Sequence, residues 1–239
     1  MSDTSTIPWN RILVEGVAII ASILIAFAID AWWDDRQETE LEVRNLVRVS
    51  AELEANSARI QSKLRTIEGS IEATSIFISW MGPQPTILEQ EVLFEQWDTL
   101  YGIGFFSLQR SAARDYLASG QMDMAKNLEV RQAISEWYSL GTDLEEQYER
   151  LRIAHASISS YLQDAIPFLN TISANTVMSN HPTSRFPFDQ TAFLADPKLE
   201  SRLALLLIRM EFVSAQAADL NNLQRELVAL IDTTTQEAD

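Results

Sequence analysis

One stretch constrains this chain more than any other: Arg11 to Arg36, RILVEGVAIIASILIAFAIDAWWDDR, its only long apolar run. From Ile12 to Trp33 it is about 22 residues, or roughly 33 Å as helix, which matches a bilayer hydrocarbon core of about 30 Å. Glu15 and Asp30 interrupt the run near its two ends. Two readings fit. One is a retained transmembrane helix over 11–33, preceded by a short polar N-terminus at 1–10. The other is a signal peptide with Ala26-Phe27-Ala28 as its small-residue cleavage site. Arg11 is the only basic side chain ahead of the run, which argues against a secretory n-region. Trp9 on one side and Trp32 and Trp33 on the other are placed as interface anchors of a retained span.

At 100° per residue, Arg11, Glu15, Ala18, Ser22, Ala26 and Asp30 fall close to one line, with Leu13, Ile20, Leu24 and Phe27 opposite. Small residues at Ala18, Ser22 and Ala26 let a second helix approach closely. Arg11 and Glu15 are spaced to pair. This line is the candidate interaction face of the membrane helix, for a partner protein or a second copy. The plain alternative is that both acids sit at headgroup depth and serve nothing further.

Glu15, Ile23-Leu24-Ile25-Ala26, Ile29-Asp30, Trp32 and Arg36 resemble the anchor of a family of bacterial single-pass membrane proteins known only as a domain of unknown function. Two further patches are similar to it: Glu52-Leu53 with Asn56, and Tyr116-Leu117 to Ser119-Gly120 leading into Asn127, Leu128, Arg131 and Trp137-Tyr138. The resemblance implies an inner-membrane anchor with a cytoplasmic N-terminus, and no activity. Members usually begin with several Lys or Arg, where this chain has Arg11 alone. The basic residues beyond the span, Arg36, Arg44 and Arg48, taken alone would hold the following domain in the cytoplasm. The family pattern, and the ability of long domains to translocate regardless of charge, place it in the periplasm instead.

Beyond the anchor about 200 residues remain, enough for one well-buried domain. With only 7 Gly and 7 Pro, they read as long helices. Leu46, Leu53, Ile60 and Ile67 recur every seven residues, with Leu64, Ile71 and Ile78 as the second seam. This helix continues the membrane span without a break and ends at Gly82-Pro83-Gln84-Pro85. Thr86 with Glu89 has capping-box spacing for a short helix to Tyr101, and Gly102-Ile103-Gly104 breaks it. Ser107 caps a second short helix, stopped by Gly120. Asn127 caps a long helix over 128–165. Val130, Trp137, Leu144, Leu151, Ile158 and Ala165 form one of its seams; Ile134, Gly141, Tyr148, His155 and Leu162 form the other. Residues 167–196 read as an irregular loop. Asp196-Pro197 starts the last helix, to Asp232, with Leu199, Leu206, Val213, Leu220 and Leu227 at one seam position. Leu203, Met210, Ala217 and Ile231 take the other, with Gln224 the polar exception. The expected fold is all-α: the N-terminal transmembrane helix continues into an elongated antiparallel bundle of three long and two short helices over 34–232, followed by a tail at 233–239.

The net charge of −16 argues against nucleic acid as partner, because phosphate binding needs a basic patch. Without Cys there is no thiol chemistry or disulfide framework. His155 falls in a seam, and His181 stands in a loop with no ligand at metal spacing. Met122 and Met124 around Asp123 read as packing rather than a copper site. No phosphate loop, nucleophile elbow or HExxH occurs. The chain therefore reads as a non-enzyme without cofactor. Trp80, Trp97, Tyr101, Phe105 and Phe106 gather around the first turn region, and most are explained by packing of the short helices; a hydrophobic docking surface is the functional alternative. Two functions follow. The first is an accessory or assembly subunit of a membrane complex, docking through its bundle. The second is a sensory or ligand-binding bundle, which would have to signal sideways, since only about ten residues precede the span.

Overall fold

The computed structural model describes residues 9–100, 104–119, 128–167 and 184–238, and the fold they form is all-α. Six helices occur among them: α1 Trp9–Ser79, α2 Gln90–Leu100, α3 Ser111–Ala118, α4 Leu128–Ala165, α5 Gln190–Leu194 and α6 Pro197–Ala238. No Pro and few Gly lie between Trp9 and Ser79, so nothing stops the first helix. It runs for 71 residues, about 105 Å at 1.5 Å per residue. The span and the first bundle helix are one element.

α6 is the centre of the bundle, and both α1 and α4 pack along it. Ser57 of α1 donates to Asn221 of α6 at 2.8 Å, and Phe77 meets Phe193 just ahead of α6, so the two run antiparallel. Trp137 bonds Gln224, and Arg202 donates to the Ser157 carbonyl, which makes α4 antiparallel to α6 as well. A strap of α2, residues 104–110 and α3 descends along α1 and packs against α4. Its contacts keep a reversed order: Trp97 at Phe77, Thr99 at Ser70, Gln109 at Asn56, Ala112 at Glu52 and Tyr116 at Glu42. The strap therefore supplies the fourth side of the bundle.

The seams of α6 are as expected: Leu199, Leu203, Leu206, Met210, Val213, Ala217, Leu220, Gln224, Leu227 and Ile231 are all buried. In α4 the expected seams are buried except at Ala165, which is exposed, and His155, which is half-buried. There burial lowers the His155 pKa from its ordinary value. At Gly141 a Cβ would lie 2.9 Å from Leu108 Cδ1 of the strap, so a larger residue there would make that side chain shift.

Several boundaries and one seam differ from the sequence reading. In α1 the first seam is buried, but Leu64, Ile71 and Ile78 are only partly so. The second seam is instead Val49, Asn56, Ser70 and Phe77, all buried, with Lys63 at the same register only partly buried like Leu64; the polar residues there hide the period from a hydropathy count. The Thr86 capping box does not form. The Thr86 N–H donates to the Trp80 carbonyl, closing the turn over Gly82 (φ 138°), and the helix begins at Gln90. Ser107 does not cap α3, which starts at Ser111 and takes its cap from another helix. The stretch read as an irregular loop contains α5, capped by Asp189 accepting from Ala192 N–H. It buries Phe193 and Leu194. Helix α6 continues through the expected tail to Ala238 because no residue after Asp232 breaks it. Asn127, Gly120, His181, Met122, Asp123 and Met124 lie outside the described residues.

Candidate functional site: anchor face, strap and aromatic end

The apolar part of α1 stands bare. An 18-residue window there has a mean hydropathy of 2.0, and none of it is covered by the rest of the chain. A core helix of that composition would be covered by its neighbours. Here Ile20, Leu24, Phe27 and Ile29 are 60–67% exposed. The helix is long and apolar enough to cross a membrane.

Glu15, Ala18, Ser22, Ala26 and Asp30 lie on this uncovered helix, none of them buried. Ser22 Oγ donates to the Ala18 carbonyl at 2.8 Å, so its hydroxyl is satisfied within the helix and its outer surface is small and nearly apolar. The Trp32 and Trp33 rings sit 6.3 Å apart at the far end of the run. Just beyond, Arg36 pairs with Glu40 at 3.3 Å, an exposed i,i+4 contact of small energetic value. The side chains of Trp9 and Arg11 lie outside the described residues.

The polar patches beyond the anchor meet in the strap. Glu52 accepts from Ser111 Oγ and Ala112 N–H through one oxygen and from Ala113 N–H through the other. The two amides are orphan donors of the first turn of α3, so a carboxylate from α1 caps a helix sixty residues later in sequence. Asn56, fully buried, donates to the Gln109 carbonyl at 2.6 Å and accepts from the Gln109 N–H at 2.9 Å. Arg110 reaches the other way, to the Tyr138 carbonyl, Thr142 Oγ1 and the Glu145 carboxylate, with its guanidinium over the Tyr138 ring. Glu145 also accepts from Leu108 N–H at 2.8 Å. Arg131 donates to the Leu117 carbonyl and lies over Tyr116, whose hydroxyl faces Glu42. Burial, and then the Glu42 carboxylate, push the Tyr116 pKa up to about 12. The strap is held between α1 and α4 by polar contacts on both sides. The sequence signal for it was the patch Glu52, Asn56, Tyr116, Leu117, Arg131 and Tyr138, singled out by likeness and given no role.

Of the aromatic residues read mostly as packing of the short helices, with a docking surface as the alternative, Trp80 and Trp97 meet at Phe77, while Phe105 and Phe106 lie elsewhere. Trp97 is buried against Phe77, with ring centroids 5.1 Å apart, and Trp80 packs half-buried on the same Phe77. Phe193, Phe188 and Phe94 complete that cluster, which closes the far end of the bundle core. Phe106 packs instead on Tyr148, and Phe105 is 87% exposed. Tyr101 lies outside the described residues. Trp97 therefore offers no surface to a partner, because the short helices fold it inward.

No group of three or more His, Cys, Asp or Glu with metal-holding geometry occurs among the described residues. Comparison with family models, curated proteins and solved structures finds no match to this chain.

Proposed function

We propose that this chain is a single-pass membrane protein without catalytic activity, whose bundle serves as an accessory or assembly subunit of a membrane complex. The observation that carries the reading is α1: one uninterrupted helix, bare and apolar at one end and at the other a wall of the bundle core. An anchor continuous with the core transmits position rigidly. A partner held by the membrane end and one held by the bundle are thereby kept at a fixed separation. The anchor's resemblance to bacterial inner-membrane proteins supports an inner-membrane setting with the bundle in the periplasm.

Orientation is tested on a chain that has no cysteine of its own. Gln163→Cys, exposed on α4, is expected to react with a membrane-impermeant maleimide once the outer membrane is opened. Labelling only after inner-membrane lysis would place the bundle in the cytoplasm.

Partner recognition by the anchor is a separate expectation. Ser22→Leu keeps the segment apolar but blocks the close approach that small residues allow, and van der Waals packing is a main source of helix association in lipid. Leu24→Phe adds bulk on the opposite face. With expression matched, cross-linking from membranes is expected to lose partners in Ser22→Leu and keep them in Leu24→Phe. Asp30→Leu is expected to weaken association too, since a carboxylate near the interface can accept a hydrogen bond from a partner. Equal retention in the two bulk variants would reduce the anchor to a tether.

A further inference from the structure

The outer face of α6 repeats the apolar spacing of its inner one. Leu205, Ile208 and Phe212 stand at i, i+3 and i+7 on the side away from the core. On α4, Leu140 shares the heptad column of Tyr161, which bonds Asp196 at the start of α6, and so lies on the side turned to α6. Ile153 is on the back of α4 at the height of Ile208: each is sixteen residues from the Trp137–Gln224 bond. These five side chains are 40–61% exposed. Together they leave on the order of 400 Å² of apolar surface, in the range of functional patches on a monomer.

Charged residues edge this patch in a pattern, and all four are exposed. Glu136 and Arg150 share the column of Ser157, whose carbonyl accepts from Arg202, and form the α4 edge. Glu211 and Arg225 lie one column out from Asn221, which bonds α1, and form the other edge. Counting from the Trp137–Gln224 bond, Arg150 is thirteen residues along α4 and Glu211 thirteen back along α6, so they are level. Glu136 and Arg225, next to the bonded pair, are level too. Within one chain the apolar stripe of α6 separates each pair. Glu136, Arg150 and Glu211 have no ion-pair partner among the described residues, and Arg225 bonds Asn222 of its own helix.

We propose that this face joins a second copy of the chain in a parallel pair, with a twofold axis along the helices. That axis sets the α4 edge of one copy against the far edge of the other at the same height. Arg150 then meets Glu211 of the other copy and Glu136 meets Arg225 of the other copy, each contact occurring twice, around a centre of Leu205, Ile208 and Phe212. The heights between bring no like charges together, since Asp143 faces Ala218 and Ser157 faces Ala204. The parallel sense rests on the proposed membrane span: two copies crossing one bilayer the same way stand side by side. Confinement to one bilayer also raises the effective concentration of the copies, as a linker would. A patch below the about 800 Å² per partner of a free-standing complex therefore suffices. The pairing gives the docking bundle of the proposed function a defined first partner.

The chain has no cysteine, so Ala215→Cys, exposed one turn beyond Phe212, reports this face to a short bismaleimide in membranes holding the full chain. A cross-linked dimer is expected from Ala215→Cys and not from Ala55→Cys, exposed on the back of α1. In the Ala215→Cys background, Arg150→Glu and Glu211→Arg should each lower the dimer fraction about fivefold by setting like charges together. The two reversals combined should restore it, which a general loss of folding would not do. Ile208→Gln should lower the fraction about tenfold. Resistance to carbonate extraction, read on the same membranes, reports the span separately, and the cross-link decides the pairing whichever fraction holds the chain. No dimer at Ala215→Cys, an equal dimer at Ala55→Cys, or no rescue by the double reversal would overturn the proposal.

Discussion

Trp137→Ala is expected to lower the stability of the bundle by about 3–5 kcal/mol, through lost apolar contact and the cavity left behind. Trp137 is fully buried in α4, facing α6, and its Nε1 donates to Gln224 Oε1 at 3.0 Å. Gln224 is itself buried, and its Nε2 has no hydrogen-bond partner among the described residues. Removing the indole strands the remaining oxygen as well, which adds to the cost. A cycle separates the two effects. Trp137→Phe and Gln224→Leu each leave one polar partner unpaired, whereas the double variant leaves none, so it should be less destabilised than the sum of the singles. Glu146→Gln, exposed on the outer face of α4, should change little. Equal melting shifts for Trp137→Ala and Glu146→Gln would contradict the packing of α4 on α6.

The second large effect is local. Asn56→Leu should cost about 1–3 kcal/mol, since it removes two hydrogen bonds to the Gln109 backbone from a fully buried position. Glu52→Ala removes the cap of α3, an interaction worth about 0.5–2 kcal/mol. Both losses fall on the strap, which these two side chains tie to α1 at the level of Gln109 to Ala113. Hydrogen exchange should therefore speed up at the amides of residues 108–116 in both variants, while the amides of α6 keep most of their protection. Uniform acceleration along α6 would mean that the strap and the long helices open as one unit.

The long helices were legible in the sequence because their seams are apolar and regularly spaced. The span of α4 over 128–165 was read from Asn127 as its cap, Pro167 as its stop and its heptads between them, and every expected seam position of α6 is buried. The second seam of α1 was not legible, since Asn56, Lys63 and Ser70 occupy it and a hydropathy pattern registers only apolar residues. Asn56 and Ser70 bond the strap and Lys63 lies over the Tyr148 ring of α4, so the pattern failed where α1 does something besides packing on α6. The cap of α3 was missed for a related reason: capping rules look a few residues away, and Glu52 acts across 59 positions from Ser111. The exposed Phe105 was grouped with the buried Trp97 because both lie near the turn in sequence. Only the fold separates a ring turned into the core from one left in solvent.

The central claim is that anchor and bundle are a single rigid helix, and one distance measures it. Spin labels at Asp34→Cys and Ser75→Cys, both exposed on α1, are 41 residues apart, which in an unbroken helix is about 60 Å. Pulsed electron–electron resonance on the full chain in lipid nanodiscs should give one narrow distribution near that value. A broad distribution, or a maximum well short of it, would show a hinge between membrane and bundle and contradict the account.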